Sequence, residues 1–370
     1  MKLFKCTNCG QLLYFENGRC EQCGDPLGFE AESLQLIPVI PQGHGLYKNH
    51  DPHRDPSNSK TYRYCSNYGY GVCNWLVAEN NGTPFCKACS LNRTIPNLSR
   101  PEYLERWKII EGAKHRLVYS LLRMKLPLGS HESSSRKGLS FDFVADEQTD
   151  GSDKILTGHD DGLITINIAE ADDIERETAR KSMDEVYRTV LGHFRHEVGH
   201  YYWDRLIESS EYLEEFRELF GDERKDYGEA LKVHYEHGAP PEWNLHFIST
   251  YATTHPWEDW AESWAHYLHI IDTLETANAF GLKIKPQVMD DSSVLKADIK
   301  ADPYDLKDFN EIIKLWLPLT FAMNSLNRSM GLHDLYPFVI RPKVMQKLKF
   351  IHKVCYITAQ QSQRVVQHYV

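Results

Sequence analysis

The segment His196-Glu197-Val198-Gly199-His200 constrains this chain more than any other stretch. Residues four apart stack on one face of an α-helix, so both imidazoles can reach a single Zn²⁺ while Glu197 lies beside the remaining coordination position. Such a site is suited to amide hydrolysis. The metal lowers the pKa of a bound water and polarises a carbonyl, and the carboxylate takes the water's proton and passes it to the leaving amine. The flanking sequence predicts a helix. Asp172-Asp173-Ile174-Glu175 opens a proline-free run in which Met183, Val186, Tyr187, Val190, Leu191 and Phe194 recur at three- and four-residue spacing, with Asp172 or Asp173 as its cap. Val198, Tyr201, Tyr202, Leu206 and Ile207 continue the stripe. Gly199 leaves room for another backbone or a ligand beside the metal.

A catalytic zinc needs a third protein ligand, and the segment from Tyr251 to His269 is the best source. Thr254 or His255 can precede a helix that takes Pro256 in its first turn, where a missing N–H costs nothing. Glu258, Glu262 and His266 then share one face, while Trp257, Ala261, Trp264, Ala265, Leu268 and Ile271 make the rest apolar. Carboxylates carried inward need partners. Zinc for one and a ligating imidazole for the other would satisfy both.

HEVGH followed by a Glu-x-x-Ala-Glu helix resembles the gluzincin metallopeptidases, which implies Glu258 as third ligand and Glu262 as the acid that supports a ligating histidine. Tyr251 stands seven residues before Glu258, the spacing of the tyrosine that points at the reacting carbonyl in the lethal-factor branch and the minigluzincins. With the cysteine-rich start, GHFRHEVGHYYWDRL and EDWAESWAHYLHI resemble a bacterial family of zinc-binding metallopeptidases with an amino-terminal zinc ribbon. That resemblance covers nearly the whole chain. It implies an α+β zincin fold: a small sheet, an active-site helix, a glutamate helix and a helical carboxy-terminal half.

The amino terminus carries a separate signal. Cys6-x-x-Cys9 and Cys20-x-x-Cys23 form two knuckles, with Gly10 and Gly24 directly after them where the chain turns around a metal. Cys65, Cys73, Cys86 and Cys89 form a second set with a wider first pair. Zinc is favoured over disulfides because no signal-peptide pattern precedes Cys6. The expected cofactors are one catalytic zinc ion and one or two structural ones. Cys355 lies in an apolar helix and reads as an inert buried thiol.

The 370 residues exceed one ordinary domain, and the pattern divides them into a ribbon at 1–36, a second cysteine-rich module at 37–98 and a catalytic unit at 99–370. Net charge is −10, which argues against a general nucleic-acid binder, although a ribbon could still read a nucleic acid or a protein locally. No apolar run is long enough to span a bilayer, so the expectation is a cytoplasmic enzyme acting on a peptide or protein. Tyr62, Tyr64, Tyr68, Tyr70, Trp75 and Phe85 surround the second cysteine set; they could stack on bases, but in a small ribbon they read first as its core.

Ser99-Arg-Pro-Glu102 is a capping box for a helix that stops before Pro127. Residues 139–143 and 163–169 read as strands; the resemblance to zincins implies that the latter binds substrate as an added strand at the sheet edge, and plain sheet packing is the reading beside it. Two helices are expected over 302–330 and 341–358. Two alternatives stand beside the peptidase: a binding module on a silent scaffold, which retained Glu197 opposes, and a hydrolase of non-peptide amides.

Overall fold

The computed structural model describes residues 2–52, 60–129, 138–146, 157–174, 176, 189–287 and 293–368. They form two compact units with mixed α and β content, the first made of residues 1–123, 138–158 and 163–172, the second of 124–137, 159–162 and 173–370.

In the first unit, β1 (Phe4–Lys5) and β2 (Leu12–Leu13) pair antiparallel around the first knuckle. A five-stranded antiparallel sheet follows, formed in chain order by β3 (Leu27–Glu30), β4 (Gln35–Gly43), β5 (Leu46–Asn49), β6 (Thr61–Tyr64) and β7 (Leu76–Ala78). So small a sheet needs aromatic bulk to make a core. Phe29 packs on Trp75 at 4.5 Å and Phe15 on Tyr119 at 5.4 Å. Tyr62 and Trp75 are buried as the core reading expects, whereas Tyr68, Tyr70 and Phe85 are exposed.

Between β8 (Asn92–Thr94) and β9 (Ser140–Val144) runs helix α1 (Pro101–Arg123), which buries Trp107, Ile110, Leu117, Val118 and Leu121. Its first bonds run from Tyr103 and Leu104 N–H to Arg100 O, so it starts one residue beyond the expected Ser99 cap. With β11 (Leu163–Asn167), these strands form a sheet in which β9 runs parallel to β8 and to β11; a further short strand, β10 (Gly158–Asp160), has only Gly158 in this unit. The strand expected over 163–169 is β11, which pairs with β9. Its Ile164 and Ile166 are fully buried, which explains the alternation that marked it.

The second unit is built on helices α2 (Val190–Leu206), α3 (Leu213–Phe220), α4 (Tyr227–His237), α5 (Pro256–Ala279), α6 (Phe309–Ser329) and α7 (Pro342–His368), with a two-stranded ribbon of β12 (Lys283–Ile284) and β13 (Ala297–Asp298). The long run expected from Asp172 is interrupted: Thr189 is extended, and its hydroxyl caps α2 by accepting from Gly192 N–H. Met183, Val186 and Tyr187 lie outside the described residues, as does most of the serine-rich loop after Gly129. The helix expected from Asp302 is also split. Asp302 caps only a single 3₁₀ turn, Pro303–Asp305, and Asp308 caps α6.

Helices α2 and α5 pack closely against each other. Trp260 donates to Gly199 O at 2.8 Å, and Trp264 stacks on Tyr202 at 4.9 Å. A Cβ on Gly199 would lie 2.9 Å from Ala261 Cα and 3.3 Å from Trp264 Cβ. The missing side chain is thus what lets the α5 backbone approach α2. Gly199→Ala is expected to destabilise the protein by about 1–3 kcal/mol through overpacking, read as a lower denaturant midpoint. An unchanged midpoint would show that the two helices can separate freely.

Candidate metal centre

Helix α2 carries His196, Glu197 and His200, and α5 starts opposite them, its cap being the His255 ring, which accepts from Trp257 N–H, with Pro256 in the first turn. Glu258 then falls in that first turn and Glu262 one turn later. Glu258 Oε2 lies 3.0 Å from His196 Nε2 and 3.6 Å from His200 Nε2, yet receives no well-directed hydrogen bond and is buried. The other edge of His196 is engaged, with Nδ1 2.7 Å from Glu262 Oε1. Ser249 Oγ donates to Glu262 Oε2 at 2.6 Å, so both oxygens of Glu262 are occupied.

The arrangement fits a metal ion. With Nδ1–H of His196 given to Glu262, Nε2 presents a lone pair toward an orphaned carboxylate oxygen, and lone pairs converge stably only on a cation. His196 Nε2, His200 Nε2 and Glu258 Oε2 form a compact donor set able to hold one. The pocket attracts positive charge, which a proton on His196 supplies when no cation is bound. Burial works against charge on both groups, but the Glu258 and Glu262 carboxylates drive the His196 pKa up, while His200 and His196 hold Glu258 well below its ordinary value.

Tyr251 sits in the turn just before α5, its ring 5.9 Å from that of His196. Lys347 of α7 braces this approach, donating to His246 O at 2.8 Å and to buried Asp259 at 2.5 Å. Tyr201 and Tyr202 hydroxyls donate to Leu128 O and Pro127 O, fixing the segment after Pro127 to α2.

Three residues at this centre were not singled out from sequence. His193 Nε2 lies 3.1 Å from Glu197 Oε1, and its spacing of four residues from Glu197 is a signal that could have found it. His159 stacks 6.0 Å from His200 and accepts from Gly162 N–H; burial, then His200, push its pKa down to about 4, so the ring stays neutral. Tyr227 donates to Glu258 Oε1 at 2.7 Å. No local pattern marks His159 or Tyr227. Asn324, Asn327 and Arg328 hold the turn after α6, bonding Tyr336, His333 and Asp334.

Both cysteine sets are assembled. Cys6 and Cys23 sulfurs lie 3.8 Å apart, Cys9 and Cys20 3.6 Å, and Cys73 and Cys86 3.7 Å. A disulfide needs about 2.05 Å, whereas a tetrahedron with metal–sulfur arms of about 2.3 Å has edges near 3.8 Å. Cys65 and Cys89 complete the second set. Gly10 and Gly24 adopt φ of +83° and +78°, bonding back to Cys6 O and Cys20 O. His115, a residue with no sequence signal, brings Nε2 to 3.7 Å from Cys89 Sγ while Nδ1 lies 2.6 Å from Glu111 O. Cys355 is buried and free, and burial pushes its thiol pKa far up.

Two tetrathiol clusters together with a His-His-Glu donor set are the combination expected of a zinc-binding metallopeptidase. Residues 103–354 match the family described as "putative zinc-binding metallo-peptidase", and the chain belongs to it; residues 3–100 match a zinc-ribbon domain. Uncharacterized proteins of Mycobacterium tuberculosis and Mycobacterium bovis are each 41% identical over 355 residues, covering 96% of this chain and 95% of theirs. No solved structure matches the chain. Among the described residues, no helix is long and apolar enough to cross a membrane.

Proposed function

We propose that the chain is a gluzincin-type zinc peptidase with a zincin catalytic domain, cleaving peptide bonds within a peptide or protein substrate in the cytoplasm. The observation that carries this reading is the orphaned Glu258 Oε2 facing both Nε2 atoms, with His196 held from behind by Glu262. His196, His200 and Glu258 would hold zinc, which when bound supplies a water of lowered pKa and a polarised carbonyl. Glu197 accepts the water's proton and returns it to the leaving amine. Glu262 keeps His196 in the tautomer whose Nε2 is a lone-pair donor. Tyr251, on the Glu258 side, donates to the oxygen on which charge develops. Digestion of a peptide library by the zinc-loaded full chain tests the reading. Absence of any cleavage that Glu197 supports would overturn it.

The two cysteine sets are read as structural zinc sites. The isolated protein is then expected to contain about three zinc ions per chain, two resistant to mild chelation because a closed thiolate site has no exchange position. Metal analysis before and after chelator dialysis checks this; a single retained ion would remove one of the thiolate sites.

A further inference from the structure

Which oxygen of the third ligand faces the metal is decided outside helix α2. We infer that Tyr227 is a positioning residue that makes Glu258 a one-oxygen ligand. The inference rests on the zinc-site reading above and deepens it. A carboxylate that binds zinc through both oxygens consumes a position the reaction needs, whereas one bound through a single oxygen leaves the open site of a catalytic centre. Glu258 is 2% exposed, so no water layer is available to occupy its second oxygen. The Tyr227 hydroxyl does so instead, donating to Oε1 at 2.7 Å while Oε2 faces the two imidazoles. Donation to a carboxylate is a strong, directional hydrogen bond, and it occupies Oε1 and fixes the carboxylate plane with Oε2 toward the imidazoles.

Tyr227 is placed for this by its surroundings. Asp226 caps α4 by accepting from Glu229 N–H at 2.8 Å, which sets Tyr227 as the first helical residue. Lys225 O lies 3.1 Å from His255 Nε2, and the Tyr227 ring packs edge-on against the same imidazole at 5.4 Å. The residue that caps α5 therefore also docks the segment carrying Tyr227, and ligand and hydroxyl are registered against one ring. Further along α4, His234 Nδ1 lies 3.4 Å from Thr253 Oγ1, and its ring is 6.1 Å from that of Tyr251. One helix thus spans the ligand carboxylate and the Tyr251 turn.

The test is zinc affinity at the histidine site, measured by competition with a chelator on the full chain with its cysteine sites filled. Tyr227→Phe keeps the ring on His255, and the residue is 39% exposed, so the variant folds. Its zinc Kd is expected to rise about 10–100-fold, the range for losing a group that orients a ligand. Tyr251→Phe is expected to stay within about twofold of wild type in affinity while lowering kcat, because an oxyanion donor acts in the transition state. Equal affinities of wild type and Tyr227→Phe would overturn the inference and leave the zinc site standing. Failure of the wild type to take zinc at the histidine site would instead overturn the site itself.

Discussion

Glu197→Gln is expected to retain zinc and the fold while losing about 10²–10⁴-fold in kcat. The amide matches the carboxylate in size and can still accept a hydrogen bond, but it cannot take a proton from water. Glu197 is buried in α2 with its side chain 8% exposed and Oε1 3.1 Å from His193 Nε2. Burial pushes its pKa up, but the hydrogen bond and charge of His193, followed by His196 and His200, outweigh burial and hold the carboxyl below its ordinary value. It is therefore ionised at neutral pH, with one oxygen fixed by His193 and the other available. Single-turnover assays on a cleaved peptide, with metal content measured on the same samples, read out the result. Undiminished hydrolysis by zinc-loaded Glu197→Gln would remove Glu197 as base and the proposed mechanism with it.

The parts legible in sequence are those set by short-range rules. The HEVGH face, the His255–Pro256 start of α5 and the glycine after each cysteine pair follow from helical period, capping and φ, all of which operate within a few residues. Thr189 defeated the same reasoning. Apolar spacing runs on across it, and nothing local says that its hydroxyl turns back to cap Gly192. The split at Leu306–Asp308 has the same origin, since either aspartate makes a good cap on sequence grounds. What joins one element to another was harder still to read. Tyr227 meets Glu258 across 31 residues and His115 meets Cys89 across 26, distances over which periodicity carries no information. Likewise β3 to β7 form one sheet from strands of three to nine residues, too short to announce their partners. The β11 run was recognised by its alternation, but alternation reports two faces of a sheet and not whether a neighbour lies on each side.

Sequence spacing leaves Glu258 and Glu262 equal in principle, because both lie one turn apart on the same face of α5. Their surroundings separate them. Glu262 has both oxygens engaged, one by His196 Nδ1 at 2.7 Å and the other by Ser249 Oγ at 2.6 Å. Glu258 has one oxygen engaged by Tyr227 and the other without a donor, turned toward two Nε2 atoms. A metal ligand must offer a free lone pair at the point where the others converge, and only Glu258 does. Glu258→Ala is therefore expected to leave the histidine site nearly empty at micromolar zinc. Glu262→Ala keeps the three donors but frees the His196 ring to rotate and change tautomer, so zinc affinity falls about 10–100-fold. Titration of the histidine site in both variants, with the cysteine sites left filled, gives the ranking. If Glu262→Ala empties the site and Glu258→Ala only weakens it, the third ligand is Glu262, and the orphaned oxygen of Glu258 has another use.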